Sequence, residues 1–389
     1  MIGKEFAAEK FTYKDPRTGY EVIQLTNNGS NNYQLYITDN SFTLGDREIY
    51  FLSDRSSKIP DIYNFFKMDL NTGTIFQVTD EKEGVEGHST KTPDSNLIVY
   101  KTGNKLKKLN TQSGRVETIF EEGNEFNIGT PFICADGQYL GVIRNENVGL
   151  KVGANYIGFK EKMFAIKKSL ISLIYLDGTR VTDVYEDRHW LGHFQFAPGD
   201  NSLAMFCHEG PWNLVLQRIW LLDVVSGKVK PCFRQGPGDS VGHEFWTRDR
   251  KIFFDNRRAG FDGTITSNKT QATVSTPLNS HISGQNPYIG LANDDGEVIR
   301  TIEMPYFCNH YHANNDNSFL AGDEVKDIVL IDIRSDKPLI KKLGAHNTSW
   351  SNQRSHCHPT FDWSGRQVLF TSDRGGKTNL YLIDTSQCI

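Results

Sequence analysis

The chain repeats one unit, and that repeat decides most of what it can become. Near the C-terminus it reads "DWSGRQVLFTSDRGGKTNLYLID": a polar turn, an alternating strand, a Gly-rich loop and a second alternating strand. Near the N-terminus "TLGDREIYFLSDRSSKIPDIYNFFKMDLNTGTIFQVTD" has the same order, and "SDR" recurs at Ser53–Arg55 and Ser372–Arg374. Degenerate copies of the turn and following strand begin at Thr92, Cys134, Ala197, Thr247 and Asn314. That makes seven copies, starting about 40 to 70 residues apart, a spacing that suits propeller blades carrying loop insertions. The pattern predicts an all-β chain, a seven-bladed β-propeller forming one domain over residues 1–389. The last copy stops after "NLYLID", one strand short, while the chain start "DPRTGYEVIQLTNN" looks like an orphan turn and fourth strand. The N-terminal strand is therefore expected to complete the last blade and close the ring, leaving no open sheet edge at the seam. One helix is expected on an inserted loop, in "FKEKMFAIKKSLISLIYL" from Phe159.

Composition narrows the function. Apolar residues make up 38% and aromatics 12%, enough for a real core. A net charge of −4 implies no basic face for nucleic acid. No apolar run approaches a membrane span, and "MIGKEFAAEKFTYKD" has no signal-peptide core, so a cytoplasmic protein without membrane partners is expected. The six cysteines are scattered with no CxxC, which supports neither a disulfide framework nor a zinc knuckle.

The histidines fall in register. Counting back seven from the third residue of the polar turns (Ser95, Asp200, Arg250, Asn317, Gly365) gives His88, His193, His243, His310 and His358. Five of only 11 histidines thus share one position, a strand length before the turn, on the innermost strand that lines the channel. Residues two apart on a strand share a face, so His356 is expected beside His358, and His312 beside His310. Pro359 favours an extended His358, and Cys357 is expected to turn away. A lone channel histidine is usually a hydrogen-bonded polar residue; five in register point to a shared site. Imidazoles without a thiolate set suit Mn, Fe, Co, Ni, Cu or Zn.

Several motifs resemble the oligogalacturonate lyases, polysaccharide lyase family 22. They are "WLGH" at Trp190–His193, "FCHEGP" at Phe206–Pro211, "RIWLL" at Arg218–Leu222, "HEFW" at His243–Trp246, "SHCHPTF" at Ser355–Phe361 and "VLFTSDR" at Val368–Arg374. The resemblance implies a seven-bladed propeller of the bacterial cytoplasm that cleaves short uronic-acid oligosaccharides by β-elimination. It implies a divalent metal, typically Mn²⁺, on His310 of "CNH" and on Gln353, His356 and His358 of "QRSHCH". It also implies His243 as catalytic base and Arg218 as catalytic arginine, with a structural ion pair as the competing reading of Arg218. His193, His208 and His88 are assigned to substrate binding, and His208 with Glu209 could equally order a loop. His312 is the alternative to His310 as ligand.

The segment from Arg257 to Ile299 departs from the family pattern and is expected to form a loop near a channel mouth. Loops over a rigid scaffold carry recognition, so the uronate could differ while the chemistry is kept. Two alternatives compete with the lyase: a non-catalytic TolB-like propeller binding an oligosaccharide or peptide, and a metal-dependent hydrolase. A propeller that fills the chain leaves no room for a separate α/β domain, which disfavours a serine hydrolase.

Overall fold

Seven antiparallel sheets account for nearly all of the regular structure in the computed structural model, which describes residues 2–87, 89–153, 156–212, 214–257 and 286–388. Four blades are plain four-stranded meanders, with strands in chain order from channel to rim. They are blade 2 (Ser89–Lys91 to Val116–Glu121), blade 4 (Leu191–Phe196 to Lys228–Pro231), blade 5 (Val241–Trp246 to Val298–Glu303) and blade 6 (Tyr311–Ala313 to Leu339–Ala345). Blade 1 runs from Asn32–Gln34 to Ile75–Gln77 and gains Glu5–Phe6 as a fifth strand at its rim. In blade 3 two short segments, Phe126–Ile128 and Phe132–Ile133, share the innermost position against Tyr139–Glu146.

Blade 7 is the seam. Its inner strands are Thr360–Phe361, Gln367–Ser372 and Asn379–Asp384, and the chain start supplies the rest. Glu21–Gln24 pairs with the last strand, Val22 opposite Ile383, and Phe11–Lys14 adds a fifth strand. The expected closure is present with one strand more than the repeat required.

The core shows that the sheets form a ring. Seven apolar clusters each join two neighbouring blades, including one between blades 7 and 1 that packs Leu369, Leu380 and Leu382 against Phe42, Ile49 and Phe51. An open row of seven sheets would have only six such interfaces. The "SDR" arginines tie distant chain segments together. Arg55 donates to Glu9 and Asn32, and Arg374 donates to the Ala345 carbonyl of blade 6.

The polar turns keep their register. In all seven blades an N–H bonds the carbonyl three residues back, including Ser95 to Thr92, Arg250 to Thr247 and Gly365 to Asp362. These turns lie at one end of the channel, and the histidine positions lie at the other.

Two expectations are corrected. The helix covers only Phe159–Ala165, and Ser169–Tyr175 is a fully paired strand of blade 3. The β-branched and aliphatic run after Lys168 pairs across the sheet rather than continuing a helix. The Arg257–Ile299 segment is not all loop, because Tyr288–Ala292 is the third strand of blade 5 and Val298 begins the fourth. Residues 258–285 of that segment lie outside the described residues.

Candidate metal centre and active site

Three imidazoles converge at the near end of the channel. His310, His356 and His358 each offer a ring nitrogen, and these atoms lie within 4.8 Å of one another. The His310 ring centroid is 4.2 Å from that of His358 and 5.3 Å from that of His356. His310 is oriented by a carboxylate. Its Nδ1 lies 2.8 Å from Asp323 Oδ2, and its backbone N–H donates to Asp323 Oδ1 at 2.5 Å. That contact places the ring proton on Nδ1 and turns the Nε2 lone pair towards a ligand, the usual support for a metal-bound histidine. His356 is buried with no hydrogen-bond partner for either ring nitrogen. Burial, and then His310, hold its pKa well below the usual histidine value, so it stays neutral. A neutral, orphaned, buried imidazole beside two others fits a divalent transition metal.

The local backbone differs from the expected strand. Gln353–Ser355 is a single 3₁₀ turn capped by Asn352, and His356–Pro359 is loop; the innermost strand starts only at Thr360. His358 is not extended but left-handed, with φ of 45°. Such a conformation is costly for a residue with a Cβ, and here surrounding bonds hold it. Its carbonyl accepts from the Gln34 amide and from Thr360 Oγ1. His356 and His358 are thus brought together by a strained loop, not by a shared strand face. Cys357 does turn away, fully buried in the core between blades 6 and 7. Gln353 lines the same cavity as His310 and His356, and its Nε2 donates to Tyr156 Oη at 2.6 Å, leaving the amide oxygen for a cation. His312 shares the channel face, yet sits about 7 Å further along the strand. It lines the opposite cavity and accepts from the Phe361 N–H, which leaves the cluster to His310.

His243 stands beside the cluster, its ring centroid 4.8 Å from that of His310. Its Nδ1 lies 3.5 Å from Arg257 Nη2 and 3.8 Å from Asp255 Oδ1, which leaves Nε2 to meet a substrate, as a proton acceptor in the tautomer that carries its hydrogen on Nδ1. Burial, then the nearby His310 and Arg257, push its pKa well below the ordinary value. The imidazole is therefore neutral at physiological pH and able to accept a proton.

Arg218 and His193 belong to one closed network. Arg218 Nε bonds Glu244 Oε2 at 2.8 Å, and its Nη2 lies 3.5 Å from Glu209. His193 bridges the same carboxylates, Nδ1 to Glu244 at 3.1 Å and Nε2 to Glu209 at 3.2 Å. Burial opposes charge on His193, but Glu244 and Glu209 override it and raise its pKa. With both nitrogens engaged by carboxylates, His193 is a positioning group at the cavity wall. Arg218 lines the cavity but spends most of its charge on the two carboxylates, so the ion pair and the cavity-facing arginine are both present.

Glycines admit these carboxylates. In "LGH" and "VGH" the innermost strands of blades 4 and 5 carry a bulge at the Gly-His step. A Cβ on Gly192 would lie 2.6 Å from Glu209 Oε1, and one on Gly242 3.0 Å from Asp255 Oδ1. Asp255 and Asp323 escaped the sequence reading although both lie at the close of the second strand of their blades, next to last in "FFDN" and last in "LAGD", and both accept from the backbone N–H of the register histidine.

The remaining assignments fall elsewhere. His208 does not line the cavity; it stacks on His189 at 4.2 Å and meets Asp187 at 3.3 Å, because it ends the second strand of blade 4 and turns to the rim side. His88 lies outside the described residues. The cavity itself is about 370 Å³, walled by Tyr36, Tyr156, Trp190, Trp212 and Arg257.

Known proteins carry the same architecture and sequence pattern. The model of a family described as oligogalacturonate lyase matches residues 1–389. An oligogalacturonate lyase of Dickeya dadantii is 26% identical over 98% of this chain and 97% of its own length. An oligogalacturonide lyase of Pectobacterium atrosepticum is 25% identical over 95% of each. A solved oligogalacturonate lyase in complex with manganese superposes with a TM-score of 0.84 at 24% identity, covering 98% of both chains. One from Vibrio parahaemolyticus gives 0.84 at 22%, covering 99% of both. With its model spanning every residue, the chain belongs to the oligogalacturonate lyase family.

Proposed function

We propose that the chain cleaves short oligogalacturonates by metal-dependent β-elimination, with manganese held by His310, His356, His358 and Gln353. The observation that carries this reading is the neutral His243 ring set 4.8 Å from the three-imidazole cluster. A family relative solved with manganese supports the choice of ion. When bound, the ion supplies Lewis-acid neutralisation of the uronate C6 carboxylate and of the charge that develops there.

The chain's own groups supply the rest. His243 Nε2 takes the C5 proton; as that bond breaks, a C4–C5 double bond forms and the C4–O bond to the leaving sugar breaks, the electron pair leaving with oxygen. Asp255 steadies the imidazolium through its 3.8 Å approach to Nδ1. Arg218, fixed by Glu244 and Glu209, presents a donor that needs no reorganisation as negative charge grows on the substrate. Trp190 and Trp212 add aromatic surface to the cavity wall, with Lys162 and Arg257 stacked on them. The reading includes a cytoplasmic location, which the six buried, free cysteines support.

The test is direct. Purified protein with Mn²⁺ should convert digalacturonate to a product with the ultraviolet band of a conjugated unsaturated uronate. Release of reducing ends without that band would replace elimination by hydrolysis, and no reaction on any uronide would sink the reading.

A further inference from the structure

The channel has a second cavity at its far end, about 510 Å³, built from the polar-turn side of all seven blades. Thr38 and Gln195 line it as well as the metal-side cavity, so the two abut along the axis. Nothing in the lyase chemistry uses it, yet its lining is chemically specific.

Two cations face it with no carboxylate in ion-pair contact among the described residues. Lys91 is only 8% exposed, and its Nζ donates to the Phe42 carbonyl at 2.9 Å and to Ser95 Oγ at 3.0 Å. Arg248 donates to the carbonyls of Trp363 at 2.7 Å and Asp362 at 3.2 Å. All four acceptors are neutral, and neither cation makes an ion pair among the described residues. Asp39 and Asp94 act on Lys91, and Asp46 and Asp362 on Arg248, only at longer range, and burial lowers the Lys91 pKa to about 8; an anion in the cavity would supply a direct counter-charge.

The walls add shape. The Arg248 guanidinium lies 4.4 Å over the Trp363 ring and Lys91 Nζ 5.9 Å from it, so one indole carries both cations. Trp246 closes another side, and its indole Nε1–H is buried with no acceptor. Asp39, 6% exposed, has one carboxylate oxygen without a donor. Burial drives its pKa up to about 7 against the Lys91 N–H and Thr90, so near neutrality it can donate a proton to a ligand as well as accept one. Two cations, a vacant indole donor, an acid and aromatic faces together describe a receptor for a ring with an acid on it.

We propose that this far cavity is a second ligand site, which binds a small organic carboxylate bearing a ring, of the size of a single sugar acid. The carboxylate sits between Lys91 and Arg248, and the ring lies against Trp363 and Trp246. The inference is independent of the lyase reading, since none of these residues belongs to the metal side.

Calorimetry on the full chain tests it, with D-galacturonate as the probe, D-galactose as its neutral counterpart and inorganic phosphate as a ring-free anion. Galacturonate should bind saturably, with galactose and phosphate about tenfold weaker or more, as expected for loss of a charge-assisted contact or of the ring. Arg248→Gln and Lys91→Met should each weaken galacturonate by a similar factor, while His356→Ala leaves it unchanged. Absence of saturable binding would overturn the proposal. So would equal binding of galactose, an affinity untouched by both cation variants, or loss of binding in His356→Ala, which would put the ligand at the metal side. Should Arg248→Gln fail to fold, Lys91→Met and the neutral-sugar comparison decide.

Discussion

His243 and His356 line one cavity but are asked to do different work, and substitution separates them. His243→Gln should lower kcat/KM on digalacturonate by about 10²- to 10⁴-fold, the usual worth of a general base, while metal content stays at wild-type level. His356→Ala should abolish both activity and bound manganese, because a three-imidazole set reduced to two loses its third nitrogen. Metal analysis beside the ultraviolet assay distinguishes the two, and equal metal loss in both variants would deny His243 its role. Asp323 is a subtler case. It touches no substrate, but its 2.8 Å contact fixes which nitrogen of His310 is free. Asp323→Asn should weaken manganese binding by about 10- to 100-fold in a titration, the typical cost of losing a carboxylate behind a ligating histidine.

At the scale of the strand and its bulge, pH enters through Glu244. Burial raises its pKa, but Arg218 and His193 overcome that and hold it down to about 2 from 4.5. A depressed carboxylate contributes stability that is fully present above its unfolded value and is lost as pH falls through its folded value. Between about pH 4.5 and pH 2 the wild type should therefore lose on the order of 3 kcal/mol through this group. Glu244→Gln should show less of that slope in acid denaturation. It should also be less stable at neutral pH by about 3–5 kcal/mol, since Arg218 and His193 lose a buried counter-charge. The same scale explains what the sequence could and could not tell. His193, His243, His310 and His358 are found by counting because the turn that follows each blade's inner strand is hydrogen-bonded at a constant distance from it. The carboxylates that orient them were not found, because Asp255 and Asp323 come from the next strand and meet their histidines only once the sheet is paired. His358 was misjudged for a related reason. The rule for a residue before proline speaks of local sterics, and the left-handed conformation is imposed by bonds from Gln34, over 300 positions away. His208 shares a blade with His193, and nothing in "FCHEGP" reveals that it turns towards His189 instead of the channel.

For the whole molecule, the seven-copy pattern predicted the ring, and the seven inter-blade clusters complete it. Their residues alternate along short strands, the one signal that survives in sequence when copies diverge. The insertions between copies were harder to assign. The apolar run "SLISLIY" is periodic neither as helix nor as half-buried strand, because it is buried on both faces inside blade 3. Closure sets a further expectation. Removing residues 2–24 strips blade 7 of two strands and bares the Asn379–Asp384 edge. The shortened protein should melt lower and aggregate on size-exclusion chromatography, as an unpaired apolar edge does; a monodisperse, equally stable product would show that the seam carries little of the fold. The seam has a temporal side too. The strands that seal blade 7 are synthesised well before the loop that carries His356 and His358. Until the final blade emerges, the early strands wait without a sheet, and a chain that ends before His356 has neither a closed ring nor the full set of imidazoles. Assembly of the proposed metal site is thereby a late event in synthesis, placed after most of the ring has been made.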